Sequence, residues 1–250
     1  MEWRDNGILL SEKQYGEGSF LVYALTENHG LHAGFSRKNK ENCSLLQPGN
    51  LLHLCWRGRT HEHAGYYNIE PLRFCGQAAF ESRLALNVLN SFRTLTLTFL
   101  PERVPYPKTY KQAVVFLNAL FFRKNWLHHY ILWEYIFLQE MGYGLDLNSC
   151  AATGIRDREN LIYISPKSGR AVCQDAGAPY ASKLFRLPRV FFCDFQDQEN
   201  QPEFPLQEYV LGLEVMEHFL IQRAVTAQMI KKLPSPRLQL KDTLIEFGLI

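Results

Sequence analysis

The sequence is short of several things at once, and each shortage removes a class of protein. It has no apolar run approaching the roughly 20 residues a helix needs to cross a bilayer. The most apolar stretch, Ala113 to Phe122, stops at Arg123 and Lys124, and the next is broken by Glu134. No membrane-spanning helix and no membrane partner are expected. Charge of one sign is lacking too: Lys and Arg number 27 against 25 Asp and Glu, and the first 80 residues hold eight of each. The chain is not a polycation, so any footprint for nucleic acid has to be local. Cysteine is sparse: Cys43, Cys55, Cys75, Cys150, Cys173 and Cys193 are scattered singly, which excludes a disulfide scaffold. Glu2, Arg4 and Asp5 stand where a secretory leader would carry its apolar stretch, and the expected compartment is a reducing cytoplasm. Also missing are a His-Glu-x-x-His helix, a Walker lysine loop and a Gly-x-Ser-x-Gly elbow, so no catalytic residue is assigned.

What is present is 250 residues, 46% of them hydrophobic, enough to bury one large core or two modest ones. Residues 1–79 read as short strands between turn signals. Gly7 to Leu10 is a short apolar run, Ser19 to Thr26 is rich in Leu, Val, Tyr and Phe, and Glu27-Asn28-His29-Gly30 is a turn before Leu31 to Phe35. Leu52, Leu54 and Trp56 alternate with His53, Cys55 and Arg57, and Tyr66 to Ile69 runs up to Pro71. Five such segments in under 80 residues suggest an OB-like barrel.

From Phe80 the period lengthens. Leu84, Val88, Leu89, Phe92 and Leu95 predict a helix, although Thr94-Leu95-Thr96-Leu97-Thr98 alternates as a strand does. Tyr110 to Asn125 and Leu127 to Met141 read as helices apolar almost all round, the centre of a helical domain. Residues 142–180 are rich in Gly, Ser, Asn and Asp and predict a loop-rich insertion with one hairpin around Leu161 to Ile164. Two closing helices are expected around Leu206 to Ile221 and Leu238 to Phe247.

Six segments in order, EWRDNGILL (2–10), YGEGSFLVYALTENHG (15–30), LQPGNLL (46–52), LDLNSCAATG (145–154), YISPKSGRAV (163–172) and APYASKLFRLP (178–188), give the chain an end-to-end resemblance to the RecO family of bacterial DNA repair and recombination mediators. The resemblance implies an α+β protein in two parts. An N-terminal OB-fold β-barrel (1–79) binds DNA, and a mainly α-helical domain (80–250) carries a degenerate zinc-finger-like insertion at about 145–185. It further implies binding of single- and double-stranded DNA and annealing of complementary strands. With RecR and the single-stranded-DNA-binding protein, such proteins assist loading of the RecA recombinase; no covalent chemistry and no cofactor are implied.

The cluster Arg37, Lys38 and Lys40, joined by Arg57 and Arg59, would displace phosphate counterions from one face of such a barrel; the bland account is a solvated loop. Tyr66 and Tyr67 are the expected stacking platforms for unpaired bases. They point to opposite faces, so at most one is exposed, and Trp56, in phase with Leu52 and Leu54, points inward. Cys150 and Cys173 sit where zinc-bearing relatives carry Cys-x-x-Cys pairs, but the second members here are Thr153 and Ala176, and two thiolates cannot close a tetrahedral site. No metal is expected there, nor at His61 and His63 or His128 and His129. Ser165 to Arg170 reads as a surface turn with two cations. Arg123, Lys124, Arg186 and Arg189, among aromatics, suit an acidic peptide ending in a hydrophobic residue, as the tails of single-stranded-DNA-binding proteins do. A general OB-fold RNA-binding protein and an unrecognised DNA-processing enzyme are the competing readings.

Overall fold

The computed structural model describes residues 1–37, 44–60, 64–192, 203–225 and 232–246. Along the chain run β1 (Glu2–Gln14), β2 (Ser19–Thr26), β3 (Gly30–Arg37), β4 (Leu51–Arg57), β5 (Tyr66–Arg73), α1 (Arg83–Phe99), α2 (Pro107–Phe122), α3 (Trp126–Glu140), β6 (Leu161–Ile164), β7 (Ala171–Cys173), α4 (Gln174–Gly177), β8 (Phe185–Arg186), α5 (Leu206–Phe219) and α6 (Ser235–Glu246). Two compact units result: residues 1–126 with 234–243, and residues 127–233 with 244–250.

In the first unit β1 pairs with β4 through its first half and with β2 through its second, β2 pairs with β3, and β4 with β5. β3 and β5 meet in parallel at one pair, Phe35 opposite Tyr66, so each of the five strands has two neighbours. The inner face collects Leu9, Val22, Ala24, Leu52, Leu54, Trp56 and Tyr67, with Leu46 from the connection ahead of β4. Two sequence expectations were too short. β1 is 13 residues long rather than the four of Gly7 to Leu10, because its polar-looking start is held by buried Asp5. That carboxylate accepts the backbone N–H groups of Asn6 and Asn28 at 2.9 and 2.8 Å and contacts His29 Nδ1 at 2.8 Å. β5 continues through Pro71 to Arg73, since β3 pairs with β5 at Tyr66 and proline is tolerated on an edge where no ladder donor is needed.

Asn50, fully buried, ties the connection before β4 to the helices. Its Nδ2 donates to the carbonyls of Ser44 (2.9 Å) and Leu45 (3.2 Å), and its Oδ1 accepts the Gly76 N–H at 3.1 Å. α1 starts at Ser82, whose Oγ accepts the Ala85 N–H. Its threonine-rich end stays helical because Phe92, Leu95 and Phe99 are buried at three- and four-residue steps, while Thr94 and Thr96 turn their hydroxyls back on the carbonyls of Asn90 and Phe92, each at 2.8 Å. α2 buries Tyr110, Ala113, Phe116, Leu117 and Leu120 but leaves Phe121 and Phe122 exposed. α6 is fastened by a 2.8 Å bond from Asn87 Nδ2 to Thr243 Oγ1.

In the second unit α3 is apolar nearly all round and buries Tyr130, Ile131, Leu132, Trp133, Phe137 and Leu138. The expected hairpin is present as β6 and β7, and β8 adds a third strand in the order β7-β6-β8. Arg223 fastens the turn beside it, donating to the carbonyls of Tyr143 and Gly144 at 2.7 Å and of Ser168 at 2.5 Å. Cys150 and Cys173 are both buried, and the Cys173 N–H donates to Cys150 Sγ at 3.2 Å. The Thr153 hydroxyl lies 3.6 Å from Cys173 Sγ. Beside the two thiols stands a hydroxyl and no third Cys or His, so a structural zinc ion, which wants four Cys or His donors, does not fit the residues here. Burial pushes the Cys150 thiol up, but hydrogen bonds from the Thr153 hydroxyl and the backbone N–H groups of Cys173, Thr153 and Ala152 outweigh it and bring it down to about 6.

Two outcomes follow. Asn50→Ala strands the Gly76 N–H and two carbonyls, and chemical denaturation of the variant should show a loss of about 3 kcal/mol, at roughly 1 kcal/mol or more per orphaned group; a loss under half that would mean water replaces the amide. The Cys150 thiolate stabilises the fold above the ordinary thiol range and loses that contribution as pH falls through about 6. The ultraviolet thiolate absorbance that distinguishes the native protein from Cys150→Ser should therefore titrate near 6 rather than near the ordinary value.

Candidate nucleic-acid interface

Strand alternation decides which groups reach the outer surface of the first unit. Side chains at Glu2, Arg4 and Asn6 of β1, His53, Cys55 and Arg57 of β4, and Tyr66, Asn68 and Glu70 of β5 all point away from the core. The register aligns them in rows: Glu2, Arg57 and Tyr66; then Arg4, Cys55 and Asn68; then Asn6, His53 and Glu70. The result is a polar lattice across three strands. Its floor opens into a cleft of about 420 Å³ lined by residues that include Arg4, His53, Arg57, Tyr66, Asn68 and Glu70.

Arg57 is exposed and gripped by Glu2, with Nε to Oε2 at 2.9 Å and Nη2 to Oε1 at 3.2 Å. Hydrogen bonds from Arg57 and Cys55 hold the Glu2 carboxyl below its usual range. An exposed pair of this kind contributes little to stability, so Arg57 can exchange Glu2 for a phosphate at small cost. Arg37 and Arg59 are exposed, at the end of β3 and just beyond β4. Lys38 and Lys40 lie outside the described residues, as do His61 and His63.

The two tyrosines separate as their alternation requires. Tyr66 is 70% exposed, whereas Tyr67 is 6% exposed. The assignment of Tyr67 as a stacking platform is corrected: its ring packs in the core among Trp3, His32 and Trp56, its hydroxyl meets His32 Nδ1 at 2.9 Å, and no face is left for a base. Burial raises the Tyr67 phenol well above the ordinary tyrosine value. Trp56 is buried as well, and its Nε1 donates to the Ala64 carbonyl at 3.0 Å. What the sequence reading missed is Tyr15. This residue, 65% exposed at the β1–β2 turn, packs its ring 5.1 Å from Phe35, and Phe35 lies 6.0 Å from Tyr66. The signal was available as an aromatic next to Gly16-Glu17-Gly18, but only the β3–β5 pairing brings it to Tyr66. Tyr15, Phe35 and Tyr66 form a surface row beside the three arginines.

The residues expected to receive a partner are divided between the two units. Arg123 and Lys124 are exposed at the end of α2 in the first unit, with Arg123 paired to Glu81. Beside them Phe121 and Phe122 are in edge-to-face contact, and the Arg73 guanidinium lies 6.0 and 5.4 Å from their ring centres. Arg186 and Arg189 belong to the second unit, where the Arg189 N–H donates to Glu208 Oε2 at 2.5 Å and its Nη1 reaches the Arg158 carbonyl at 3.4 Å. His128 and His129 are buried on α3. Burial lowers both, His129 to about 4, and His128 Nε2 meets the Val190 carbonyl at 3.2 Å, the pattern of packed neutral imidazoles. Among the described residues no group of three His, Cys, Asp or Glu side chains is arranged to hold a metal ion, and no helix is long and apolar enough to cross a membrane.

Comparison with known proteins gives this interface its setting. Residues 1–74 match the family model for the Recombination protein O N terminal region, and residues 82–211 match that for the Recombination protein O C terminal region. A DNA repair protein RecO of Ruegeria is 44% identical over 192 residues, 76% of this chain and 79% of that protein. One of Cereibacter sphaeroides is 38% identical over 246 residues, 98% of this chain and 99% of the relative. A third, from Rhizobium rhizogenes, is 40% identical over 190 residues, 75% and 72% of the two chains. With both family models matched in order and relatives aligned over nearly its whole length, the chain belongs to the RecO family of DNA repair and recombination proteins.

Proposed function

We propose that this protein is a non-enzymatic recombination mediator that works in the cytoplasm on nucleoid DNA. In this reading residues 1–79 are an OB-fold barrel for DNA. Residues 80–250 are the helical domain for protein partners, interrupted at about 145–185 by a zinc-finger-like excursion without its ligand set. The observation that carries the reading is the row of exposed Tyr15, half-buried Phe35 and exposed Tyr66, with the exposed Arg37, Arg57 and Arg59 at or just beyond the ends of β3 and β4. Aromatic faces accept unpaired bases whatever their sequence, and guanidinium groups neutralise the phosphates between them. Binding two strands so lowers their mutual repulsion and favours annealing.

Loading of RecA with RecR and the single-stranded-DNA-binding protein requires a second contact, to the coating protein. Charge and shape favour the end of α2 for its acidic, hydrophobic-ended tail. There the exposed Phe121 and Phe122 lie beside Arg73, Arg123 and Lys124, so cations for the acids and a ring surface for the last side chain are adjacent. Capture of the tail would raise the local concentration of this chain at coated single strands.

Stacking and phosphate contacts separate in a binding experiment. Tyr66→Ala should weaken single-stranded DNA binding about tenfold, within the range measured for removing one stacked base, and leave duplex affinity nearly unchanged. Arg37→Glu with Arg59→Glu should weaken both and reduce the salt dependence. Equal loss on single and double strands for Tyr66→Ala would remove the stacking role. A preference for single-stranded RNA over DNA, with no affinity for an acidic tail peptide, would replace the mediator by an RNA-binding reading, and cleavage of labelled DNA in magnesium would make it an enzyme. For the tail site, anisotropy of a labelled acidic peptide ending in Phe should show salt-sensitive binding that Phe122→Ala with Lys124→Ala abolishes.

A further inference from the structure

The cleft among β1, β4 and β5 holds a charge that DNA binding alone does not explain. A face meant for a polyanion gains from Arg4 and Arg57 but is opposed by Glu70, which is exposed and lines the same cleft. Arg4 and Asn68 stand opposite each other across Cys55, the smallest side chain of the lattice, and Glu70 stands next along β5 from Asn68 on the same face. At the usual strand spacing Arg4 and the β5 side chains are rooted about 10 Å apart, with the shallow Cys55 position between them. Arg57 is held by Glu2 and His53 Nδ1 by Asn6 Oδ1 at 3.2 Å. Among the described residues the side chains of Arg4, Asn68 and Glu70 make no hydrogen bond, although Arg4 lies within the field of Glu2, and all three line the cleft.

We propose that this cleft binds one unstacked guanine base of a single strand, with Arg4 on one edge of the base and Glu70 on the other. The proposal rests on the reading of this face as a single-strand site and names what the site selects. Guanine offers two adjacent acceptors, O6 and N7, which match the fork of a guanidinium. Its N1–H and N2–H are two adjacent donors, which match the two oxygens of a carboxylate. No other DNA base presents a pair of acceptors and a pair of donors in this way. Adenine gives a carboxylate only its N6 amino group, cytosine only its N4 amino group, and thymine only its N3–H. The Asn68 amide adds a donor and an acceptor beside Glu70, and the exposed Tyr66 ring at the end of the cleft stacks the neighbouring base. In a duplex the N1–H and N2–H edge is covered by cytosine, so the selection is confined to unpaired DNA.

The test uses the full chain and three labelled 12-mers, dT12, (TTA)4 and (TTG)4, in which isolated guanines do not form quadruplexes. The expected result is that (TTG)4 binds about fivefold more tightly than dT12 and (TTA)4, the low end for one good bidentate base contact because the cleft is open to water. Glu70→Ala should abolish that advantage while dT12 binding stays the same or tightens, because a repulsive charge has gone. Retained dT12 binding also shows that the variant is folded. Equal affinity for the three wild-type complexes, or equal gains for (TTA)4 and (TTG)4, would overturn the guanine site and leave the single-strand reading standing. A guanine advantage that survives Glu70→Ala would overturn its assignment to this cleft. Failure to bind any of the three would overturn the single-strand reading itself.

Discussion

The first unit depends on one strand bonding two neighbours. At Gly7 and Ile8, β1 is paired on both sides at once, to Thr26 and Leu25 of β2 and to Leu52 and Leu51 of β4. At residue 7 a Cβ would stand 2.6 Å from Leu54 Cδ1, so any larger side chain there would have to displace the Leu54 tip. Beyond residue 7 the register shifts between Leu9 and Ser11, and Ile8, Leu9 and Leu10 are all buried in succession. A bulge of this kind lets one strand turn and present different faces along its length. It is what allows the first half of β1 to serve the outer lattice with Glu2, Arg4 and Asn6 while the second half reaches the Tyr15 turn.

Much of this was legible in the sequence, and the exceptions have physical causes. β2 and the helices α1 to α3 follow from period and composition, and the split between Tyr66 and Tyr67 follows from alternation alone. The start of β1 was not legible because Trp3-Arg4-Asp5-Asn6 carries two charges in four residues. Only the turn that folds back over it, with Asn28 and His29 bonded to Asp5 and His29 stacked 4.0 Å from Trp3, turns a buried carboxylate into a tolerable one. The same cause hid Tyr15, Arg4 and Asn68 from the site: each is unremarkable in its own segment and gains meaning from strand register, which a sequence does not print. The arginine cluster was legible as composition, whereas its geometry was not.

The turn around Cys150 is closed by hydrogen bonds to sulfur rather than by a cation. A zinc ion draws thiolates together and satisfies them. Here the Cys150 sulfur is satisfied by N–H groups, including that of Cys173, and by the Thr153 hydroxyl. Those donors stabilise negative charge on sulfur, so the turn closes through hydrogen bonds, and β7 and α4 add the packing that holds it.

On the proposed reading, a nearly neutral chain that binds DNA must concentrate its cations and keep them from being neutralised for good. Arg57 illustrates the compromise. Glu2 holds it in the absence of DNA, which limits side-chain disorder, and because both partners are exposed to water the pair is weak enough for a phosphate to replace the carboxylate. Each such exchange leaves the released carboxylate near the bound strand, where it repels phosphate and favours groups with hydrogen-bond donors. Carboxylates on this face therefore oppose indiscriminate backbone binding and favour strands whose base edges are open. On the proposed reading, a chain that engages unpaired DNA and lets go once two strands have joined needs that balance more than it needs tight binding.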